Sequence, residues 1–196
     1  MTEIIVHRRN TMAELAATPF SHGVEVDIRS SGGTLIIHHD PFAGGERFED
    51  WIALYRHGLL ILNVKEEGLE ERLLDLMARH QIERFFFLDQ SFPFLLRTAR
   101  RGERRCAVRV SEYETIDTAL NVAPLVDWAW VDCFSRLPLD PAGVQVLKAA
   151  GLKLCLVSPE LQDRDAESAI PAMRREVAAL GAPFDAVCTK RADLWA

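Results

Sequence analysis

Two short segments of the sequence concentrate side chains that are suited to acid–base or metal chemistry. Glu25 and Asp27 stand two residues apart in GVEVDIR (23–29), and a glycine-containing turn then leads to a His-His-Asp triplet at 38–40. Residues two apart in a strand point to the same face, so the two carboxylates should lie side by side. Carboxylates that close together either share a proton or bind a cation.

Further polar side chains follow neighbouring apolar runs. His7 and Arg8 follow the first run, and Asn63 and Lys65 end a later one with the same two-residue spacing. Carboxylate and amide oxygens form a hard ligand set that suits Mg²⁺ or Ca²⁺ better than zinc. Histidines exchange protons near neutral pH, and arginine and lysine supply positive charge. Together these groups are what cleavage of a phosphodiester requires.

Each feature also has an ordinary structural interpretation. A Glu-x-Asp pair at a strand end is commonly solvated or paired with an arginine, and Arg29 lies on the same face of the predicted strand. Asn63 alone is an ordinary hydrogen-bonding strand residue. Lys65 is harder to explain in this way, because burial of an unpaired ammonium group is costly. The combination of these features over three strands favours a functional site.

The elements that position these residues alternate between apolar runs and amphipathic segments. Eight runs are predicted as strands: EIIVHR (3–8), GVEVDIR (23–29), LLILNVK (59–65), RFFFLD (84–89), RCAVRVS (105–111), WAWVDCF (128–134), LKLCLVS (152–158) and FDAVCTK (184–190). Segments 66–81, 140–151 and 166–181 have helical periodicity. GTLIIHHD (33–40) predicts an extra strand that forms a hairpin with the second run.

This order of elements predicts the fold. Eight βα-type units in 196 residues indicate a compact, parallel (β/α)8 TIM barrel with shortened loops, in which active sites lie at the carboxyl ends of the strands. A doubly wound open sheet is the alternative, but it usually has a glycine-rich loop after its first strand, and HRRNTM (7–12) contains no glycine. Residues 1–196 are interpreted as a single domain, because no linker divides them.

Composition and charge argue against several functions. Hydrophobic residues make up 48% and charged residues 27% of the chain, which is typical of a globular protein. The net charge of −6 offers no basic field for nucleic acid, and the sequence shows neither a transmembrane segment nor a signal peptide. The four dispersed cysteines predict buried free thiols and a cytoplasmic location. Trp128, Trp130, Phe134 and the run 85–87 are expected in the core, with an association surface as the alternative. The oligomeric state has no signature in the sequence.

The motifs resemble those of a known family. His7-Arg8, Glu25-x-Asp27 and His39-Asp40-Pro41 are similar in order and spacing to the opening pattern of the glycerophosphodiester phosphodiesterases, which belong to the phosphatidylinositol-specific phospholipase C-like barrel superfamily. Weaker similarity continues at 63–65 and 188–194. The resemblance implies metal-dependent hydrolysis of a glycerophosphodiester-type bond in a small glycerophosphodiester, a lipid head group or a glycerol-phosphate polymer. In that family the attacking group is often a substrate hydroxyl next to the phosphate.

Carried over position by position, the resemblance makes His7 and His39 the acid–base pair. It selects His39 over His38, because the family's histidine directly precedes Asp-Pro. It also implies that Arg8 and Lys65 contact the phosphate.

The same resemblance makes Glu25 and Asp27 ligands of a divalent cation, Mg²⁺ or Ca²⁺, with Asn63 in place of the family's third carboxylate. An amide oxygen still coordinates a cation, but the lost negative charge lowers the affinity. Glu67 shares the strand parity of Asn63 and compensates if the strand continues that far. Arg9 stands where the family has glycine, and the short segment after His-Asp-Pro predicts an open mouth suited to bulky or polymeric substrates.

Two other functions stay open. The Asn63 substitution is compatible with a barrel that binds a phosphate ligand without turnover, although two retained histidines argue against this. The other alternative is a lyase or isomerase that forms a Schiff base on Lys65. Hydrolysis of a diester, its dependence on a cation, and trapping of substrate on Lys65 distinguish the three.

Overall fold

The computed structural model describes residues 2–196, which contain ten strands and eight α-helices. The strands are β1 (Glu3–Val6), β2 (Gly23–Ser31), β3 (Thr34–Ile37), β4 (Glu46–Arg47), β5 (Leu60–Val64), β6 (Phe85–Leu88), β7 (Ala107–Val110), β8 (Trp128–Val131), β9 (Lys153–Val157) and β10 (Ala186–Thr189). The helices are α1 (Met12–Ala17), α2 (Phe48–Ile52), α3 (Glu70–Arg79), α4 (Phe92–Arg100), α5 (Ile116–Val122), α6 (Pro141–Ala149), α7 (Ala166–Ala179) and α8 (Ala192–Trp195), and a 3₁₀ helix covers Pro159–Gln162. The eight main predicted strands are present as β1, β2 and β5–β10, and the two remaining strands are β3 and β4.

The strands form one sheet in which successive βα units lie side by side. β1 pairs in parallel with β2 and with β10, and the parallel path continues from β10 through β9 and β8 to β7. On the other side, β2 pairs with β5 and β5 with β6. Among the described strands this order shows no reversal of the kind that defines a doubly wound sheet, so that alternative is wrong.

The sheet curls until its two end strands approach each other. Phe87 on β6 forms a single parallel bridge with Cys106, the residue before β7, and its N–H donates to the carbonyl of Arg105 at 2.8 Å. The architecture is therefore a curled parallel sheet of eight strands with one bridge at its seam.

A short antiparallel ribbon extends from the carboxyl end of β2. Four residues of β2 pair with β3, and β3 pairs with β4. Both glycines of the intervening turn, Gly32 and Gly33, have positive φ angles, +55° and +80°, a region that glycine enters without a Cβ clash. β3 ends at Ile37, so His38 and His39 lie in the following loop and not in the strand predicted over 33–40.

Side chains of the curled sheet alternate between two apolar layers. One layer packs between the sheet and the helices, and the other fills the inside of the curl with Ile5, Ile61, Phe86, Trp128, Trp130 and their neighbours. Trp128 stacks on Phe86 with 4.6 Å between the ring centroids. The expectation that the aromatic residues are core is thus confirmed for Trp128, Trp130 and 85–87, but it is wrong for Phe134, whose side chain is 37% exposed.

The inner face changes from apolar to polar toward the carboxyl ends of the strands. On β5 the inward residue after Ile61 is Asn63, and on β2 the inward residues Glu25 and Asp27 pair with them. Apolar side chains therefore fill one end of the curl. The polar side chains gather at the other end, where the strands have their carboxyl ends.

The helices around this sheet are short, and α7 is the longest at 14 residues. None of the described helices has both the length and the hydropathy that crossing a membrane demands. The four cysteines are free and buried, as predicted.

Candidate active site

Glu25 lies at the centre of the polar end and is completely buried. Its Oε1 accepts a hydrogen bond from Nδ2 of Asn63 at 2.8 Å, and its Oε2 accepts one from the backbone N–H of Arg8 at 2.7 Å. Burial, and next the neighbouring charge of Asp27, raise the pKa of Glu25 to about 8. A carboxyl group in this position favours the protonated form at neutral pH unless additional positive charge stabilises the anion.

Asp27 is equally buried and is surrounded by donors. Nδ2 of Asn10 donates to its Oδ2 at 2.8 Å, and Nε of Arg8 lies 3.4 Å from the same oxygen. Nζ of Lys65 lies 3.3 Å from Oδ1. The side-chain oxygen of Asn10 also accepts a hydrogen bond from the backbone N–H of Asp27 at 3.0 Å. A single amide side chain therefore binds both the carboxylate and the backbone of Asp27. Asn10 was not predicted as a site residue, and its signal in the sequence is its place two residues after Arg8.

The turn after β1 carries these donors over the two carboxylates. Arg8 has a φ of +52°, the left-handed region, and this conformation turns its N–H toward Glu25. The N–H of Arg9 donates to the carbonyl of Glu25 at 2.8 Å, and the indole N–H of Trp51 donates to the carbonyl of Arg9 at 2.9 Å. Because Arg8 and not Arg9 takes the left-handed conformation, the absence of glycine at position 9 causes no backbone strain.

His7 lies against Glu25, with 3.7 Å between Nε2 and Oε2. Burial lowers the pKa of His7 to about 3, and the charges of Arg8, Lys190, Lys65 and His39 act in the same direction. Its buried Nδ1 has no hydrogen-bond partner. The imidazole is therefore neutral at physiological pH.

His39 lies in the loop after β3, and Arg29 holds that loop in place. The guanidinium of Arg29 donates to the carbonyl of His39 at 2.8 and 3.1 Å and to the carbonyl of Lys65 at 3.1 Å. The alternative that Arg29 is the partner of the carboxylate pair is therefore wrong. Nδ1 of His39 lies 2.8 Å from Oδ1 of Asp40. The ring of His38 instead accepts the backbone N–H of Asp40 at 2.9 Å.

A chain of charged contacts leads from Lys65 across the polar end. Nζ of Lys65 lies 3.1 Å from Asp89 Oδ2 as well as close to Asp27. Asp89 in turn accepts a hydrogen bond from Arg109, and Nη1 of Arg109 donates to Asp132 at 2.6 Å. Asp89 has a φ of +58°, a strained conformation for a non-glycine residue, which places its carboxylate between the two cations.

Glu160, in the 3₁₀ helix after β9, is a second residue of this end that was not predicted from the sequence. Its Oε1 accepts hydrogen bonds from Thr189 Oγ1 at 2.6 Å and from the N–H of Lys190 at 2.9 Å. It therefore fixes the segment after β10, which carries one of the charges that act on His7.

The oxygens at this end of the sheet fit a hard cation. Asp27 Oδ1 and Asn63 Oδ1 are buried and accept no hydrogen bond, and the two residues are paired neighbours on β2 and β5. Within residues 2–196, no three His, Cys, Asp or Glu side chains are grouped as a metal site. A cation here would rest on Glu25 and Asp27 together with the Asn63 amide oxygen, a donor set compatible with Mg²⁺ or Ca²⁺.

Glu67 does not replace the missing carboxylate through strand parity. β5 ends at Val64, whose partner on β2 is Ile28, so Glu67 lies beyond the end of the strand. Oε1 of Glu67 accepts a hydrogen bond from Ser91 Oγ at 2.5 Å. The expectation that the strand continues to Glu67 is wrong.

A further carboxylate, Glu112, ties together two loops at the rim. It follows β7, and its oxygens accept the backbone N–H groups of Phe134, Ser135 and Arg136 after β8, together with the Ser135 hydroxyl. Burial alone would raise the pKa of Glu112, but these hydrogen bonds outweigh it and lower the pKa to about 2.

The depressed pKa predicts a pH-dependent contribution of Glu112 to stability. A carboxyl whose folded-state pKa lies below its unfolded value stabilises the fold above the unfolded pKa, and this contribution is lost as the pH falls toward 2. Glu112→Gln should therefore lower the free energy of unfolding by about 1 kcal/mol at pH 7, after allowance for solvent screening. The difference in free energy of unfolding between Glu112→Gln and wild type, measured by urea denaturation, should become smaller as the pH falls from 5 to 2. A constant difference over that range would contradict the assignment.

Comparison with solved structures identifies similar folds. A glycerophosphodiester phosphodiesterase from Agrobacterium tumefaciens superposes with a TM-score of 0.68 at 16% identity, covering 100% of this chain and 99% of that one. A putative glycerophosphodiester phosphodiesterase from Galdieria sulphuraria gives 0.73 at 15% identity, covering 97% and 94%. A glycerophosphoryl diester phosphodiesterase from Parabacteroides distasonis gives 0.65 at 16% identity, covering 96% and 82%.

No protein-family model and no curated protein matches the sequence. The structural agreement nevertheless extends over nearly the whole length of this chain and of two of the three neighbours. The chain therefore has the fold of the glycerophosphodiester phosphodiesterases.

Proposed function

We propose that the protein is a metal-dependent phosphodiester hydrolase that acts on a glycerophosphodiester-type bond. The observation that carries this proposal is the buried pair Glu25 and Asp27, with His7 and Lys65 directly against it, at the carboxyl end of a sheet with this fold. The proposal includes that residues 1–196 form one domain and that the curled sheet is a closed (β/α)8 barrel. The four free, buried thiols support a cytoplasmic location.

In the proposed mechanism, His7 and His39 move the protons. The neutral imidazole of His7 takes the proton of the attacking hydroxyl as the new O–P bond forms, and His39 gives a proton to the alcohol oxygen as the old O–P bond breaks. Asp40, 2.8 Å from Nδ1 of His39, stabilises the protonated ring that this step requires. His7 is assigned as the proton acceptor because it is buried and neutral, and His39 as the proton donor because it is more exposed and lies against Asp40.

The cationic side chains position the phosphate. Lys65 and Arg8 lie over Asp27 and supply positive charge to the non-bridging phosphoryl oxygens. A Mg²⁺ or Ca²⁺ ion bound by Glu25, Asp27 and Asn63 would add Lewis-acid stabilisation of the same oxygens. Asn10 and the Arg8 N–H orient the two carboxylates.

A catalytically inactive phosphate-binding barrel is the second candidate, and one observation favours it. Asn63 directs its NH₂ group at Glu25, where the family pattern has a third carboxylate. The Schiff-base alternative has less support, because Lys65 lies within hydrogen-bonding or ion-pairing distance of two carboxylates, and an ammonium held in this way is a poor nucleophile.

Hydrolysis of bis(p-nitrophenyl) phosphate and of glycerophosphocholine, with products identified by phosphorus NMR, tests the hydrolase proposal. We expect activity that EDTA abolishes and that Mg²⁺ or Ca²⁺ restores. Absence of turnover on both diesters at every cation concentration would favour the binding barrel.

The cation site has its own test. Asn63→Asp restores a third carboxylate and should tighten cation binding about tenfold or more, because affinity follows the charge of the ligand set. Thermal melts with increasing Mg²⁺ or Ca²⁺ measure this without turnover, since a ligand that binds only the folded state raises the melting temperature. Asp27→Asn should abolish the shift. Glu167→Gln, an exposed carboxylate on α7, is the control and should leave it unchanged.

A further inference from the structure

A cavity lies between β6 and β7, the two end strands of the curled sheet, and is bounded by α4, by α5 and by the loops after β6, β7 and β8. Its volume is about 740 Å³, which lies in the range of small-molecule sites, roughly 300–1,000 Å³. Three aromatic side chains stand around it: Phe92, Tyr113 and Phe134, with exposed fractions of 45%, 81% and 37%. Large exposed apolar side chains grouped around a concavity indicate a binding site more strongly than scattered ones do.

Contacts between loops fix two of the three aromatic residues, Tyr113 and Phe134. The rings of Tyr113 and Phe134 pack with 5.7 Å between their centroids, although they belong to loops after different strands. Glu112, next to Tyr113, accepts the backbone N–H groups of the Phe134 loop. The N–H of Tyr113 donates to Ser111 Oγ at 3.1 Å. A rim that is already ordered loses little conformational entropy when a ligand binds.

The cavity borders the residues proposed to hold the phosphate through Asp89. Asp89 lines the cavity and lies 3.1 Å from Nζ of Lys65, which in turn lies 3.3 Å from Asp27. A diester whose phosphate contacts Lys65 would therefore extend one of its two arms along Asp89 into the aromatic cavity.

The charges that line the cavity restrict that arm. They are the carboxylates of Asp89 and Glu114 and the guanidinium of Arg109, which donates to Asp89 and lies 3.8 Å from Glu114 through Nε. Arg109 also donates to Asp132, so its donors are engaged by protein carboxylates. A second phosphate on the substrate would face two carboxylates and an occupied arginine, whereas an uncharged hydrocarbon would contact the three rings.

We propose that this cavity binds an uncharged hydrocarbon arm of the phosphodiester, and that the protein prefers diesters of apolar alcohols to those of polyanionic glycerol-phosphate polymers. This inference rests on the proposed function, because it assigns the second arm of the same substrate.

A chain-length series tests the proposal. The substrates are glycerophosphodiesters of ethanol, butanol and hexanol. Because the cavity is open, kcat/KM should rise about twofold for each added methylene group. Full burial of a methylene group would give about fourfold. Tyr113→Ala and Phe134→Ala should flatten this dependence, so that the loss is larger for the hexyl than for the ethyl ester. Phe20→Ala, at an exposed aromatic before β2, is the matched control and should keep the wild-type slope. A wild-type slope of zero, or equal slopes in wild type and both rim variants, would overturn the proposal.

A binding measurement separates this proposal from the proposed function. Titration calorimetry with ethyl, butyl and hexyl phosphate in the presence of Mg²⁺ should show the same dependence on chain length, with the same loss in the rim variants. If these ligands bind in that pattern but no diester is hydrolysed, the hydrolase proposal fails and the cavity assignment stands. If diesters are hydrolysed while binding is weak and independent of chain length, only the cavity assignment fails.

Discussion

Replacing His7 by alanine is expected to lower kcat on a glycerophosphodiester by about 100-fold or more. The buried imidazole is neutral, lies 3.7 Å from Glu25 and has no hydrogen-bond partner on Nδ1, so its loss leaves the attacking hydroxyl without a proton acceptor. The ring is not the main structural support of the turn, because the Arg8 and Arg9 N–H groups remain bound to Glu25. Steady-state kinetics on glycerophosphocholine measure the effect, and circular dichroism checks that the variant folds.

The neighbouring histidines provide matched controls for this result. His39→Ala should have an effect of similar size, because His39 is the proposed proton donor. His38→Ala should lower kcat less than about tenfold, since its ring only accepts the Asp40 N–H and orders the loop. His80→Ala, at the exposed end of α3, should leave kcat unchanged. Near-full activity in both His7→Ala and His39→Ala, or an effect of His38→Ala as large as theirs, would refute the assignment of the acid–base pair.

Replacing Trp51 by alanine is expected to cost about 3–5 kcal/mol of folding free energy, the range observed for large aromatic residues deleted from cores. Trp51 is completely buried in α2 and packs against Phe48 and Tyr55, with 5.8 and 5.9 Å between ring centroids. The cost is a large fraction of the roughly 5–15 kcal/mol by which a typical domain is stable. Urea denaturation measures the change, and Phe20→Ala, whose side chain is 66% exposed, should shift the same curve by less than about 0.5 kcal/mol.

A second substitution at Trp51 connects stability to the site. Trp51→Phe keeps an aromatic ring but removes the indole N–H that donates to Arg9, so it should cost about 1 kcal/mol. Because the Arg9 segment carries the donors to Glu25, kcat should fall as well, while the control Phe20→Ala should leave it unaltered. An unchanged kcat in Trp51→Phe would show that this hydrogen bond does not support the turn, and a stability loss below about 1 kcal/mol in Trp51→Ala would contradict the packing prediction.

The order of strands and the pairing of Glu25 with Asp27 on one face could be predicted from the sequence. Both depend on local regularities: apolar runs separated by amphipathic segments, and the two-residue period of side chains along a strand. The same period placed Asn63 on the inner face of its own strand. Such patterns are properties of a few consecutive residues, so they survive without knowledge of the tertiary structure.

The sequence by itself therefore determined which side chains of each strand share a face and which end of the sheet is polar. Only the tertiary structure decided their partners. Asn10 binds Asp27, which lies 17 positions further along the chain. Arg29 binds the carbonyl of Lys65 and not the carboxylates. Phe134 is part of the cavity rim and not of the core. These outcomes follow from the curl of the sheet and the left-handed turn at Arg8, which set distances between segments remote in sequence. No local pattern encodes such distances, because many relative placements of the strands satisfy the same alternation of polar and apolar residues.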